Sequence, residues 1–153
     1  MNEITRDEGY MHLALMEAGK ALALHEIAVG AVIVKGGSVV ASGYNRRELD
    51  RDPTAHAEIV AIRRAAEVMG DWRLTGCELF CTLEPCAMCA GAIATSRLRR
   101  LVFGAFDPAE GFFGSRGDIS AIYSFPKEME ILGGVLEESC LQLLRASFTD
   151  LRC

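Results

Sequence analysis

The sequence predicts an α/β protein whose helices pack on one mixed sheet. Three observations lead there. Short β-branched runs alternate with stretches of helical periodicity. Two of the runs flank a Gly-Gly turn, and the later elements follow in helix–strand–helix–strand order. At 153 residues, a single domain over 1–153 is expected.

The first helix is read from Thr5-Arg6-Asp7-Glu8, a capping box whose hydroxyl and carboxylate satisfy the free N–H groups of a helix start. Met11, Ala14, Leu15, Ala18 and Leu22 then recur at helical spacing. Val29-Gly30-Ala31-Val32-Ile33-Val34 and Val39-Val40-Ala41-Ser42-Gly43-Tyr44 enclose Lys35-Gly36-Gly37-Ser38, a hairpin signal. Residues 46–53 are polar and turn-like, and a second helix is expected over 55–69, stopped by Gly70. A short strand follows over 77–82. Pro85 stands where the first turn of a helix tolerates proline, giving a third helix to residue 96. Residues 101–105 read as a strand, 107–117 as a Gly-rich loop and 129–132 as a fifth strand. A last helix over 136–151 carries Cys140, Leu141, Leu144 and Phe148 on one face.

Hydrophobic residues make up 50% of the chain and charged residues 24%, an ordinary globular balance. The net charge of −5 argues against a broad, non-specific nucleic-acid binder but leaves room for a small RNA footprint. Most of the 16 basic residues are Arg, the better residue for bidentate phosphate contacts. Arg46, Arg47, Arg51, Arg97, Arg99 and Arg100 are the candidates, although charge runs are more often solvated faces. The longest apolar run, from Ile27 to Val34, is far too short to cross a bilayer, so no membrane partner is expected. The first residues lack a signal-peptide pattern, and a cytoplasmic location is expected. Without export, six cysteines including Cys86-Ala87-Met88-Cys89 point to metal or redox use rather than a disulfide framework.

Two motifs carry the chemistry: His56-Ala57-Glu58 at one expected helix start and Pro85-Cys86-Ala87-Met88-Cys89 at another. Cysteines three apart on a helix share a face, and the positive end of the helix dipole favours thiolates. His56 adds a nitrogen ligand, and three ligands of these types leave the fourth position of a tetrahedral zinc open to water. The rival reading is a structural zinc, but no fourth ligand motif is visible to close it. Glu58 lies about 200° around a regular helix from His56. It is therefore poorly placed as a ligand and well suited to carry protons to and from a zinc-activated water.

This H-x-E and P-C-x-x-C pair resembles the zinc deaminases of the cytidine/deoxycytidylate deaminase superfamily. Asp52-Pro53-Thr54-Ala55-His56-Ala57-Glu58-Ile59 and Thr82-Leu83-Glu84-Pro85-Cys86-Ala87-Met88-Cys89-Ala90-Gly91-Ala92 resemble, more narrowly, the bacterial tRNA-specific adenosine deaminases. Gly43-Tyr44-Asn45-Arg46 and Val102-Phe103-Gly104-Ala105-Phe106-Asp107 do so too. The resemblance runs from about Arg6 to Phe148. It implies a three-layer α/β/α cytidine-deaminase-like fold with a central mixed sheet of about five strands, and a homodimer. It implies hydrolysis of adenosine to inosine at the tRNA wobble position, with release of ammonia and one Zn2+ per subunit. By motif match, His56, Cys86 and Cys89 would bind the zinc and Glu58 would be the catalytic proton shuttle. Asn45, the backbone at Ala57, Val29 and Asp107 would contact the substrate, which is expected to be a tRNA anticodon loop.

The chain departs from the family pattern outside the zinc motifs. Gly111-Phe112-Phe113-Gly114-Ser115 puts two aromatics where the family commonly has Gly-Ala-x-Gly-Ser. The stretch Ile122-Tyr123-Ser124-Phe125-Pro126-Lys127-Glu128 lacks the family's His-Pro and Asn-His residues, and the end, Asp150-Leu151-Arg152-Cys153, lacks a basic tail. These departures keep open a small-molecule substrate: free guanine, cytosine or a modified purine, or a nucleoside. Phe112 and Phe113 could stack bases, fill a dimer interface or plug the pocket mouth. Cys77, Cys81 and Cys140 read as inert core thiols, His12 and His25 as surface or capping residues, and Trp72 as a packing residue. Glu84 either orients the zinc loop or is a plain surface carboxylate.

Overall fold

The computed structural model describes residues 2–123 and 129–151. The departures over 124–128 and at 152–153, Cys153 included, lie outside the described residues. The elements are α1 (Glu3–Ala23), β1 (Gly30–Lys35), β2 (Ser38–Tyr44), α2 (Ala57–Met69), β3 (Glu78–Leu83), α3 (Ala87–Thr95), β4 (Arg100–Ala105), β5 (Glu130–Gly133) and α4 (Glu137–Leu151). A 3-10 turn, Ile119–Ala121, stands between β4 and β5.

The expected capping box is not the start of α1. Asn2 is the N-cap, and its Oδ1 accepts the Thr5 N–H at 2.9 Å. A side-chain amide one residue before the helix satisfies the same orphan donors, and Thr5 becomes part of the first turn. The expected hairpin forms: Gly36 and Gly37 have φ of 58° and 80°, the paired left-handed conformations of the tightest hairpin turn. The strands order β2-β1-β3-β4-β5. β1 runs antiparallel to both β2 and β3, whereas β3, β4 and β5 are mutually parallel. The sheet is therefore mixed.

Alternation along the strands builds two cores. Ala31 and Ile33, Leu79 and Cys81, and Leu101 and Phe103 face one side, where they pack with Ala57, Ala61 and Ala65 of α2 and Ile93 of α3. Val32 and Val34, Phe80 and Val102 face the other, against Met11 and Ala14 of α1 and Cys140 of α4. Residues two apart on a strand share a face, so β1, β3 and β4 each contribute to both layers. The result is the three-layer α/β/α arrangement that the sequence leads one to expect. Glycine sets how closely α2 approaches: a Cβ on Gly43 of β2 would lie 2.9 Å from Ala61 N and 3.0 Å from Ala57 O. No described helix is long and apolar enough to cross a membrane.

Candidate active site

The two motifs meet because two helices begin at the same edge of the sheet. His56 is the N-cap of α2 and Cys86 the N-cap of α3, both with extended backbones. Pro85 thus stands just before the cap rather than inside the helix as expected. Its missing N–H costs nothing at that point.

His56 Nδ1 lies 3.6 Å from both Cys86 Sγ and Cys89 Sγ, and one donor atom from each residue falls within 4.8 Å of the others. The Cys89 thiol hydrogen-bonds Cys86, which, with His56 assisting, holds the Cys86 thiol down at about 4. The same contact, reinforced by burial, pushes Cys89 up. His56 is raised, first by its hydrogen bond to Cys86; burial and the charge of Arg47 oppose that. Two cysteine sulfurs and an imidazole nitrogen converging at this spacing are a soft donor set that fits zinc. The five described cysteines are all unpaired.

Glu58 stands in the first turn of α2 with 4% of its surface exposed. Burial raises its carboxyl above the ordinary value. It also hydrogen-bonds the Cys89 thiol. The carboxylate is thus next to the donor set without belonging to it, as its position around the helix suggested.

These groups open on a cavity of about 290 Å3. The volume is at the lower end of small-molecule sites and suits a single base. His56, Glu58 and Cys86 line it, together with Val29, Asn45, Ala57 and Asp107. Cys89 lies behind them, buried. All four residues expected to contact a substrate therefore line the same cavity. Asn45 also makes the turn that a purely local reading assigns to it. Its Nδ2 donates to Ile27 O at 3.4 Å and its Oδ1 accepts the Arg47 N–H at 3.3 Å. One amide hydrogen and one lone pair of the side chain remain for another partner. The Ala57 N–H belongs to a first helical turn, which has no intrahelical acceptors.

Glu84 is 1% exposed and lines the cavity, which decides between the two readings of it. Its Oε1 accepts the Asp107 N–H at 3.1 Å, and its Oε2 accepts the N–H groups of Phe113 at 2.9 Å and Ser115 at 3.2 Å. The Ser115 hydroxyl donates to it as well. Burial pushes Glu84 up, but these donors outweigh it and hold its carboxyl below the ordinary value. Glu84 thus fastens the 107–117 loop to the zinc motif. Phe113 packs against the main core, and Phe112 lies over Gly117; neither lines the cavity.

Of the six candidate arginines, Arg47 alone reaches the cavity. Arg100 is only 5% exposed and grips Asp7 with both terminal nitrogens, at 2.7 and 2.8 Å. It also binds Glu78 and Glu130, tying α1, β3, β4 and β5 together. Arg99 binds the same Glu78, Arg46 binds Asp50, and Arg97 lies over Trp72. Trp72 is 50% exposed between Arg73 and Arg97, so it is not a packing residue of the core. The thiols of Cys77, Cys81 and Cys140 are buried, and burial pushes all three up, Cys140 to about 12. His12 and His25 are exposed on or just past α1.

Other residues of the site carried no signal in the sequence. Glu26, 2% exposed, accepts the N–H groups of Glu48 at 2.7 Å and Leu49 at 2.9 Å, bracing the turn beside Asn45. Leu144 and Phe148 of α4 complete the cavity wall from the far end of the chain. Their helical spacing reads as a core stripe, and nothing local distinguishes a core face from a cavity wall.

Residues 4–105 match the family described as the cytidine and deoxycytidylate deaminase zinc-binding region. The chain is 44% identical to the tRNA-specific adenosine deaminase of Bacillus subtilis (strain 168) over 149 residues, covering 97% of this chain and 92% of that one. A solved structure from work on A-to-I editing by tRNA:A34 deaminases at the wobble position superposes with a TM-score of 0.80 and 40% identity. It covers 88% of this chain and 98% of that one. Guanine deaminase from Nitrosomonas europaea superposes with a TM-score of 0.80 at 26% identity, covering 93% and 84%.

Proposed function

The chain belongs to the cytidine and deoxycytidylate deaminase family, and from that premise we propose that it hydrolyses adenosine to inosine at the wobble position of tRNA. The observation that carries the reaction class is the buried Glu58 carboxylate on the cavity wall, beside but outside the His56, Cys86 and Cys89 donor set. The tRNA substrate is supported by the tRNA-specific relatives, whose similarity spans nearly the whole chain.

His56 Nδ1, Cys86 Sγ and Cys89 Sγ would hold one zinc ion per subunit. Bound there, zinc supplies the Lewis acidity that makes a water nucleophilic near neutral pH. Glu58 would hold the proton given up by the attacking water, close to where the amidine carbon of the base would lie. The carbon–nitrogen bond then breaks, and Glu58 returns the proton to the departing amine, which leaves as ammonia. A raised carboxyl pKa suits both halves of this exchange, since the group must accept and release a proton near the working pH. Asn45 and the Ala57 N–H would hold the base edge, Val29 would pack on its face, and Asp107 would lie towards the sugar. The working form is a cytoplasmic homodimer of single-domain subunits, as the family resemblance implies.

The test is ammonia release by the zinc-loaded protein from a panel of substrates. The panel holds an adenosine-containing anticodon stem-loop, its unstructured counterpart, free adenosine, adenine, guanine and cytidine. Inosine formed in the stem-loop alone is expected. Turnover of a free base with the stem-loop untouched would replace the RNA reading with a small-molecule deaminase.

A further inference from the structure

We propose that Arg47 is the phosphate-binding group of this site, taking the phosphodiester that flanks the nucleotide entering the cavity. The inference rests on the reading above that the substrate is RNA.

The argument begins with charge. The chain carries a net −5, and the cavity wall includes the carboxylates of Glu58, Glu84, Asp107 and Glu110. A polyanion approaching this wall needs a local cation. Among the described residues, Arg47 is the only Lys or Arg on it. The other arginines singled out by sequence are either engaged or elsewhere. Arg46 is bound to Asp50 and Tyr44, Arg99 and Arg100 to Glu78, and Arg97 lies over Trp72. Arg51 is exposed, but it does not line the cavity. The Arg47 guanidinium is exposed and has no carboxylate partner among the described residues, so its five donors are free.

Presentation is the second strand of the argument. The backbone on both sides of Arg47 is fixed. Its own N–H donates to Asn45 Oδ1 at 3.3 Å, and the next two N–H groups, of Glu48 and Leu49, donate to the buried Glu26 carboxylate at 2.7 and 2.9 Å. Asn45 is itself on the cavity wall. One braced turn therefore carries both a cavity-lining amide and a guanidinium, two residues apart along the chain. A guanidinium carried on a braced turn beside a base pocket can read the phosphate next to that base bidentately. A free base has no such group, so Arg47 would separate polynucleotide from free-base substrates. Glu26 is a positioning residue in this scheme.

The experiment measures steady-state deamination of an anticodon stem-loop by zinc-loaded wild type and Arg47→Ala across a salt series. Losing one charge-assisted phosphate contact should raise KM about tenfold, leave kcat within about twofold, and flatten the salt dependence of log kcat/KM by about one phosphate's worth. Arg47→Lys should recover part of the loss. A neutral methylphosphonate, placed on either side of the target adenosine in turn, should reproduce the loss with wild type at one linkage and add nothing in Arg47→Ala. Glu26→Gln should shift KM the same way and likewise add little to Arg47→Ala. If wild type edits the stem-loop while Arg47→Ala keeps its KM and salt slope, the proposal is wrong and the function stands. If Arg47→Ala instead raises KM only for adenosine 5′-monophosphate, the group reads a monoester and the proposal fails. If wild type leaves the stem-loop untouched, the RNA reading itself fails and takes this inference with it.

Discussion

Glu84 leaves room for only a hydrogen at Gly111. A Cβ there would fall 2.3 Å from Glu84 Cδ and 2.5 Å from its Oε1. The constraint is close approach rather than backbone conformation, because the loop must fold over the carboxylate to bring its N–H groups onto it. Gly111→Ala should therefore push the loop off Glu84 and displace Asp107. The expected result is a raised KM with zinc content unchanged and a stability loss of about 1–3 kcal/mol, the usual cost of overpacking. Urea unfolding and metal analysis on the same preparation check both halves.

Glu58→Gln keeps the shape of the site and removes the proton carrier. Turnover should fall at least about 10²–10⁴-fold, the scale of general acid–base catalysis, while zinc content stays at the wild-type value. Unchanged turnover in a zinc-replete variant would remove Glu58 from the chemistry.

Asn45→Ala should raise KM and lower turnover without changing zinc content, because Asn45 faces the cavity and does not touch the donor set. The Arg47 N–H would lose its acceptor as well. Kinetics equal to wild type would assign Asn45 to the turn alone.

Cys86→Ala should lose metal and stability together, since a site that exists only in the folded chain couples binding to folding. Thermal unfolding should show a lower Tm than wild type, and a chelator that lowers the wild-type Tm should leave the variant's unchanged. Stoichiometric zinc in the variant would show that the ligand set is wrong.

Glu78 makes stability sensitive to acid. Burial pushes its carboxyl up, but hydrogen bonds from Arg6 and Arg100, with the charges of Arg6 and Arg99, outweigh burial and hold it below the ordinary value. The ionised form is thus favoured more in the folded chain than in the unfolded one. Its contribution is present above the unfolded carboxylate pKa, about 4.3, and disappears as pH falls through the lower folded value. Glu78→Gln should cost about 1–3 kcal/mol at neutral pH, the usual cost of unmaking hydrogen bonds to a buried group, limited because Asp7 and Glu130 still hold Arg100. The gap between wild type and variant should close below about pH 4. A constant gap across that range would exclude the ionised carboxylate as its source.

Much of the fold was legible from local pattern. Short β-branched and apolar runs placed the strands, Gly36-Gly37 the hairpin turn, and helical spacing the helices, because these signals depend only on neighbours in sequence. The errors were at boundaries. Asn2 displaced Thr5 as the cap of α1, and Pro85 moved outside α3, since several nearby polar groups can satisfy the same few N–H groups.

The chemistry of the site was also written in the chain itself. His56, Glu58, Cys86 and Cys89 announce a metal donor set and a proton carrier through residue type and spacing, because helix geometry fixes which side chains share a face. Tertiary structure alone decided which charges are at work. Arg100 and Arg47 look alike in sequence, yet one is locked to Asp7 of α1 and the other stands on the cavity wall. Glu84 reads equally as a loop-orienting or a surface carboxylate and Glu26 carries no signal, yet each is buried and fastens a loop. A charged side chain's role is set by which partners surround it and whether water reaches it, and both depend on contacts between segments far apart in sequence.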